Sequence, residues 1–272
     1  MISVASPLPH AHHQHKRSVA TNIGTRGITY SPYSSTGDCK TTSEVASDVA
    51  ELADYDLIRL YGVDCNQVAN VFSAKADGQK LFLGIYYVSD IQGAVDTISS
   101  AVDGVWDDID TVSVGNELVN SGEATVDQIS GYIDTARTAL TAAGYTGSVV
   151  SVDTHVAILA NTGLCDLSDY IAFNAHAYWD GNTLPEDAGK WLLGNMQAVS
   201  SACGGKRVMC VESGWPTQGD DDGVAVPSTA NQKTALSSIA DVCGNDTIAF
   251  NAFNDLWKDP GTYGVEQYWG IY

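Results

Sequence analysis

The sequence predicts an α/β chain closed into a single-domain (β/α)8 TIM barrel. Eight short apolar runs rich in β-branched and aromatic residues recur along it, at 27–33, 57–63, 81–88, 111–114, 148–152, 170–175, 207–212 and 247–253. Most are too continuously apolar to be half-exposed antiparallel strands, so they read as strands covered on both faces. Amphipathic stretches of helical period separate them. Alternation of this kind means parallel strands joined by right-handed crossovers, and eight is the number that closes such a barrel. The competing arrangement is an open doubly wound sheet. Against it, no G-x-G-x-x-G follows the first run, and Gly24-Thr25-Arg26-Gly27 precedes that run rather than following it.

Taken in order, the chain begins with residues 1–25, where His10, His12, His13 and His15 cluster just before Lys16-Arg17. The stretch lacks the apolar segment of an intact signal peptide. It is expected to be a flexible tail, either the remnant of a pro-segment ending at the dibasic pair or a segment foreign to the natural chain. Residues 26–272 are then the barrel, with no internal linker and no second domain. Helices are expected at 44–52, with Val45, Val49 and Leu52 on one face, at 67–75 and at 91–102. The strongest spans 126–143, where Ile129, Ile133, Ala136 and Leu140 stay in register and Gly144 is a stop signal. Two more are expected at 191–202 and 231–242. The weak link is 155–168, which shows no convincing full helix.

Of the 272 residues only 17% are charged, yet acids outnumber bases 33 to 13 and the formal net charge is -20. Such a surface repels nucleic acid and anionic membranes, and an uncharged partner suits it better. No apolar run is long enough to span a bilayer. The six cysteines, Cys39, Cys65, Cys165, Cys203, Cys210 and Cys243, contain no C-x-x-C pair, so zinc-site spacing is absent and no metal is expected. A dispersed, even set suggests disulfides and an oxidising compartment. Cys39 and Cys65 follow neighbouring strands at one end of the barrel, and Cys165 and Cys203 precede strands at the other, which suggests those two bonds. Cys210 stands two residues before Glu212 and is expected to point into the barrel, which would forbid a bond to Cys243. Asn245-Asp246-Thr247 is a glycosylation sequon.

Function in a barrel of this kind sits at the C-terminal ends of the strands. In chain order those ends supply Tyr30 and Tyr33; Arg59, Tyr61 and Asp64; Tyr86 and Tyr87; Asn116 and Glu117; Asp153 and His155; Asn174, His176, Tyr178 and Trp179; Glu212 and Trp215; and Asn254, Asp255, Trp257 and Lys258. This ring of carboxylates, amides and aromatics has the make-up of a sugar-binding cleft. Aromatic faces stack on pyranose rings, while amides and carboxylates take the hydroxyls. Two apolar strands each end on a glutamate, Glu117 and Glu212. Strands four and seven lie on opposite sides of a small barrel, so the two side chains should face each other. Glycoside hydrolysis needs such a pair, one carboxyl kept protonated to donate to the leaving oxygen and the other ionised to attack the anomeric carbon. Burial should raise the pKa of Glu117 towards the working pH.

The motifs Val114-Gly115-Asn116-Glu117 and Glu212-Ser213-Gly214-Trp215-Pro216 resemble those of glycoside hydrolase family 17, especially its fungal cell-wall glucanases and glucanosyltransferases. Gly27-Ile28-Thr29-Tyr30-Ser31-Pro32-Tyr33 is similar to that family's first strand, Arg59-Leu60-Tyr61-Gly62-Val63-Asp64 to its second, and Ala252-Phe253-Asn254-Asp255 with Lys258 to its eighth. Val265-Glu266-Gln267-Tyr268-Trp269-Gly270-Ile271-Tyr272 is similar to its ending. The resemblance covers nearly everything after Gly27. It implies a retaining enzyme acting on β-1,3-glucan, with Glu117 as acid/base and Glu212 as nucleophile. Tyr30, Tyr61, Asn116, His176, Tyr178 and Trp215 would line the sugar sites, and Asn254, Asp255 and Lys258 would contribute to substrate binding. Plant relatives carry a glutamate where this chain has Asp255, and a long insertion after strand six that is lacking here. The shorter wall implies transfer of β-1,3-glucan segments beside their hydrolysis. No cofactor is implied. The expected state is a monomer, secreted, extracellular or in the cell wall, with β-1,3-glucan or laminari-oligosaccharides as its partner. The other readings are a related barrel glycosidase acting on another β-glucan or mannan, and a carbohydrate-binding wall protein without catalysis.

Overall fold

The computed structural model describes residues 22–272. Eight parallel strands close into a barrel in sequence order, β1 (Gly27–Thr29), β2 (Leu57–Arg59), β3 (Lys80–Ile85), β4 (Ile109–Val114), β5 (Ser148–Thr154), β6 (Ile171–Asn174), β7 (Val208–Ser213) and β8 (Thr247–Ala249), with β8 pairing back onto β1. Among the described residues, seven α-helices occupy the crossovers: α1 (Thr42–Glu51), α2 (Gln67–Ala74), α3 (Ile91–Val102), α4 (Val126–Ala142), α5 (His155–Ala160), α6 (Ala188–Ala202) and α7 (Thr229–Cys243). Each predicted helix is present. The weak link resolves into the six-residue α5 followed by a 3-10 segment, Thr162–Asp166. The predicted runs extend past the strands proper at β1, β2 and β8, because the chain leaves the sheet there to form the rim.

Local chemistry sets the boundaries. Thr41 with Glu44, and Thr125 with Gln128, form reciprocal capping boxes that satisfy the first free N–H groups of α1 and α4. At the far end of α4 the Gly144 N–H donates to Thr141 O and the Tyr145 N–H to Leu140 O. Gly144 sits at φ +95, the left-handed turn that a helix stop of this type requires.

Period-two alternation divides the core into two shells. Leu57, Phe82, Val150, Val152, Tyr170, Ala172, Met209, Val211 and Ile248 fill the lower barrel interior. Ile28, Ile58, Leu60, Phe173 and Ala249 point outward to meet helix residues such as Val45, Val49 and Ile239. The lower interior is mostly apolar, with the buried Thr111 and Tyr170 hydroxyls paired at 2.9 Å, while Arg59, Asn174 and Glu212 collect at the upper mouth.

Most of the expected tail, residues 1–21 with its histidines and dibasic pair, lies outside the described residues. Residues 22–25 are part of the barrel base rather than tail: Thr25 is buried with its hydroxyl donating to Gly27 O at 3.0 Å, and Asn22 Nδ2 donates to Asp54 O at 3.2 Å. The disulfides Cys39–Cys65 and Cys165–Cys203 are formed as expected, and Cys210 and Cys243 are free. The orientation expected for Cys210 is corrected. Its side chain belongs to the outer shell, not the barrel interior. The reason is a bulge in β7: Cys210 pairs with Thr247, yet Ser213 pairs with Ala249, so three steps on β7 match two on β8. The extra residue breaks the parity that would have put Cys210 and Glu212 on one face.

Candidate active site

β4 ends in a sharp departure from the sheet. Gly115 takes φ +73, and a Cβ there would lie 2.7 Å from Leu118 Cδ1. Glu117 itself adopts φ +56, a left-handed conformation uncommon outside glycine, asparagine and aspartate. Its N–H donates to Val152 O at 2.9 Å, which ties the turn to the neighbouring strand. β7 delivers Glu212 through its bulge, which brings Val211 and Glu212 both to the interior side. Val211 packs in the apolar lower shell and Glu212 stands just above it.

The two carboxylates are joined through two other side chains. Asn174 Nδ2, at the end of β6, donates to Glu117 Oε1 at 2.8 Å, and Asn174 Oδ1 accepts from Arg59 Nη1 at 3.3 Å. The same Nη1 donates to Glu212 Oε1 at 2.7 Å and to Val211 O at 2.8 Å, while Arg59 Nη2 donates to Asn116 Oδ1 at 2.9 Å. His176 Nε2 lies 3.7 Å from Glu212 Oε2. Arg59 is buried with its guanidinium 4.6 Å from the Tyr61 ring centroid. The Tyr61 hydroxyl is buried beside Glu212 without a well-formed hydrogen bond.

These surroundings pull the two acids apart. Burial alone would raise Glu212, but the Arg59 charge and the neighbouring His176 outweigh it and hold its pKa at about 2. Among the described residues Glu117 makes no ion pair. Burial raises its pKa, the Glu212 charge raises it further, and the hydrogen bond from Asn174 and the nearby His176 offset only part. One carboxyl is thus held ionised, and the other is biased towards its acid form.

Both open into a cleft of about 900 Å³. Of the residues expected to bind sugar, Tyr61, Asn116, His176 and Lys258 line it. Tyr30, Tyr178, Trp215, Asn254 and Asp255 are not among its lining residues, and their placement there is corrected. Tyr30 shares parity with Ile28, faces outward, is fully buried and donates its hydroxyl to Asp48 Oδ2 at 2.8 Å. Tyr178 and Trp215 are fully buried behind the wall, the tyrosine donating to Asp220 O and the indole to Val226 O. Asn254 Oδ1 accepts from Gly270 N at 2.8 Å. Asp255 is buried one layer back, accepting from Asn251 and Trp257 and pairing with Lys258 at 2.9 Å.

Arg59 and Asn174 stood at strand ends in the sequence without an assigned role. Parity with Leu57 marks Arg59 as an interior cation, a signal the sequence itself carries. Trp191, Trp269, Asn120 and Phe250 also line the cleft and were not anticipated. Trp269 reaches it because the C-terminal segment folds back, with Asn251 N donating to Trp269 O at 3.2 Å. Exposed aromatic faces stand at both ends, Tyr86, Tyr87 and Trp257 on one side and Trp179 on the other. His176 Nδ1, His155 Nδ1 and Trp269 Nε1 are buried in the lining without a hydrogen-bond partner in the protein. Among the described residues, no cluster of three or more His, Cys, Asp or Glu could hold a metal ion.

Residues 27–270 match the family model of the BtgE/BtgC glycoside hydrolase domain. The chain is 62% identical over 251 residues to the Saccharomyces cerevisiae protein "Probable family 17 glucosidase SCW4", covering 91% of this chain and 65% of that protein. It is 56% identical over 252 residues to the Candida albicans "Cell surface mannoprotein MP65", covering 92% of this chain and 67% of that one. An active-site mutant of the Rhizomucor miehei beta-1,3-glucanosyltransferase, solved with laminaritriose, superposes with a TM-score of 0.73 at 23% identity, covering 91% of this chain and 92% of that one. An endo-laminarinase from Formosa gives 0.74 at 13% identity, over 93% and 84%. The last two likenesses establish the barrel.

Proposed function

The chain belongs to the BtgE/BtgC glycoside hydrolase family, and on that basis we propose that it cleaves β-1,3-glucosidic bonds with retention and passes the released segment to a second sugar. One observation carries this reading: Glu117 and Glu212 share one hydrogen-bonded chain through Asn174 and Arg59, yet their pKa values move in opposite directions. A binding protein gains nothing from that asymmetry, whereas a double displacement requires it. The relatives support the substrate class, since the Rhizomucor miehei transferase was solved with laminaritriose.

In the first step Glu212 attacks the anomeric carbon as the glycosidic bond breaks. The leaving oxygen takes the Glu117 proton, and an ester to Glu212 results. Once that ester forms, Glu212 has lost its charge and the Coulomb repulsion on Glu117 is gone. Its pKa falls, as a base for the second step needs. Glu117 then removes a proton from water or from a sugar hydroxyl, whose oxygen bonds to the anomeric carbon while the Glu212 carboxylate departs. Asn116, fixed by Arg59, is placed to meet the 2-hydroxyl, a contact that strengthens in the transition state. The reaction calls for no metal or cofactor.

Transfer follows from the wall beyond β6. Only the one-turn segment Ala177–Asp180 and the short stretch to α6 stand there, and the Trp179 face is exposed for an incoming sugar. Two disulfides, the acidic surface and relatives with cell-surface names support secretion and a place at the cell wall. The chain acts there as a monomer.

Incubation with laminaritetraose, followed by mass spectrometry, tests the reading. Products shorter and longer than the donor are expected, the longer ones rising with donor concentration. Shorter products alone at every concentration would remove the transfer half. An unchanged donor, with turnover of cello- or manno-oligosaccharides instead, would remove the substrate assignment.

A further inference from the structure

We propose that Asp153 is a positioning residue for the acid/base, holding the Glu117 turn in its left-handed conformation from behind without touching the sugar. The inference rests on Glu117 being that group. Asp153 lies near the end of β5, directly beneath the turn, 3% exposed and absent from the cleft lining. Its carboxylate accepts three backbone N–H groups: Val119 N to Oδ2 at 2.9 Å, Asn120 N to Oδ1 at 3.2 Å and Thr154 N to Oδ1 at 2.8 Å. Two of the three belong to the segment that immediately follows Glu117. The next residue reinforces the tie: Thr154 Oγ1 donates to Asn120 Oδ1 at 3.0 Å and caps the first turn of α5 through Ala157 N.

The need for such an anchor follows from the strain it opposes. A glutamate at φ +56 relaxes towards ordinary backbone unless its surroundings prevent it. Glu117 has one hydrogen bond of its own to the sheet, from its N–H to Val152 O. After it come Leu118, whose O accepts from Ala124 N, and then the two N–H groups that Asp153 takes. Charged acceptors make stronger bonds to backbone N–H than neutral ones do. An apolar residue at this site would leave three donors without their acceptor. The ordinary reading of a buried aspartate is that it stabilises a loop. Here that loop carries the proton donor, so its looseness should appear in one half-reaction more than in the rest.

The chemistry separates these effects. Cleavage of natural glucan needs Glu117 to protonate the leaving oxygen, whereas a dinitrophenyl laminaribioside loses its phenolate unaided. Both need Glu212. Azide attacks the glycosyl-enzyme without a base: its nitrogen bonds to the anomeric carbon, the bond to Glu212 breaks, and the β-glycosyl azide is released.

The experiment compares wild type with Asp153→Ala and Asp153→Asn on laminaritetraose and on the dinitrophenyl donor, with and without azide. Thermal melts establish folding. Displacing a reacting group by about 1 Å can cost about 10²-fold. Asp153→Ala is therefore expected to lose about 10²-fold in kcat/KM on laminaritetraose and under about threefold on the aryl donor, with turnover of the latter accelerated by azide and the glycosyl azide accumulating. Asp153→Asn keeps acceptors for Thr154 and Asn120 but presents an amide to Val119 N–H, and should show the same pattern at about tenfold. If the alanine variant does not fold, the asparagine variant carries the same comparison. Equal losses on both donors, or no loss on either, would overturn the proposal. A wild type inactive on laminaritetraose but active on other glycans would overturn the substrate reading instead, and the ratio of the two donors can then be taken on those glycans.

Discussion

Glu117 just after β4 and Glu212 on β7 stand at the ends of apolar strands of one barrel, within one hydrogen-bonded network. The more deeply buried of them, Glu212, is the one that stays ionised, and the partly buried Glu117 is the one pushed towards its acid form. Burial alone predicts the reverse order. The difference lies in what each side chain faces. Glu212 has a full charge at 2.7 Å, while Glu117 has a neutral amide at 2.8 Å and the repulsion of Glu212, with His176 offsetting a smaller part. Backbone geometry differs too. Glu212 is placed by a bulge inside a regular ladder, whereas Glu117 is placed by a left-handed turn outside the sheet. Glu212 is fixed by the scaffold itself, and Glu117 by contacts added to it.

The largest effect comes from removing either side of the pair. Glu212→Gln should lower kcat on laminari-oligosaccharides by at least about 10⁴-fold, as loss of a nucleophile does in comparable machinery. Glu117→Gln should cost about 10³–10⁴-fold on the same unactivated donor, the upper end for general acid catalysis. Azide should restore turnover of an activated aryl donor in the Glu117 variant and do nothing for the Glu212 variant. Azide rescue of the wrong variant would exchange the two roles.

Arg59→Met tests why the pair is unequal. Without the guanidinium, Glu212 keeps its burial and loses its main counter-charge, so its pKa must rise. The folded-state value lies below the ordinary one, so the stability it contributes is present above about pH 4.3, the ordinary Glu value. That stability is lost as pH falls towards about 2. The variant forfeits this and should melt earlier at neutral pH, by about 3–5 kcal/mol for a broken buried pair. The acid limb of kcat/KM, governed by the ionisation of Glu212, should move up into the measurable range, and the rate at neutral pH should fall by about 10²–10³-fold. An acid limb that stays in place would show that Arg59 is not what ionises Glu212.

Much of this was legible in the sequence, and the rest was not for identifiable reasons. Eight continuous apolar runs and helical periodicity reveal the barrel because each depends on local pattern. Glu117 and Glu212 are visible because a polar residue at the tip of an apolar strand has few structural uses. Tyr30 stands at a strand end yet lies away from the cleft, because it shares parity with Ile28 and faces outward to Asp48. The side of Cys210 is not legible from parity, because the β7 bulge exists only in its register with the neighbouring strands β6 and β8. Trp269 and Trp191 gave no local signal. One enters from a segment folded back onto the mouth, and the other from the first turns of α6. Arg59 was legible as an interior cation, but its partners come from β4, β6 and β7, and no spacing in the chain encodes that convergence.

Tyr61→Phe probes the comparison with the smallest change. The hydroxyl is buried beside Glu212 and favours its ionised form, but only after Arg59 and His176 have made their larger contributions. It closes no well-formed hydrogen bond, and the ring, which the guanidinium covers at 4.6 Å, is retained in phenylalanine. The substitution therefore leaves the packing around Arg59 intact and removes one dipole from beside Glu212. In the proposed first step Glu212 loses its charge, so a dipole that stabilises the carboxylate also resists the attack. The two consequences oppose each other: a slightly higher Glu212 pKa makes the carboxylate a better nucleophile, while its alignment with the anomeric carbon loses a neighbour. A loss of about three- to tenfold in kcat/KM is expected from the lost dipole. The acid limb should move up by far less than in Arg59→Met. A shift as large as that of the arginine variant would mean that the nucleophile is held ionised by a shared array of dipoles, and the contrast between a charge-paired Glu212 and an unpaired Glu117 would have to be redrawn.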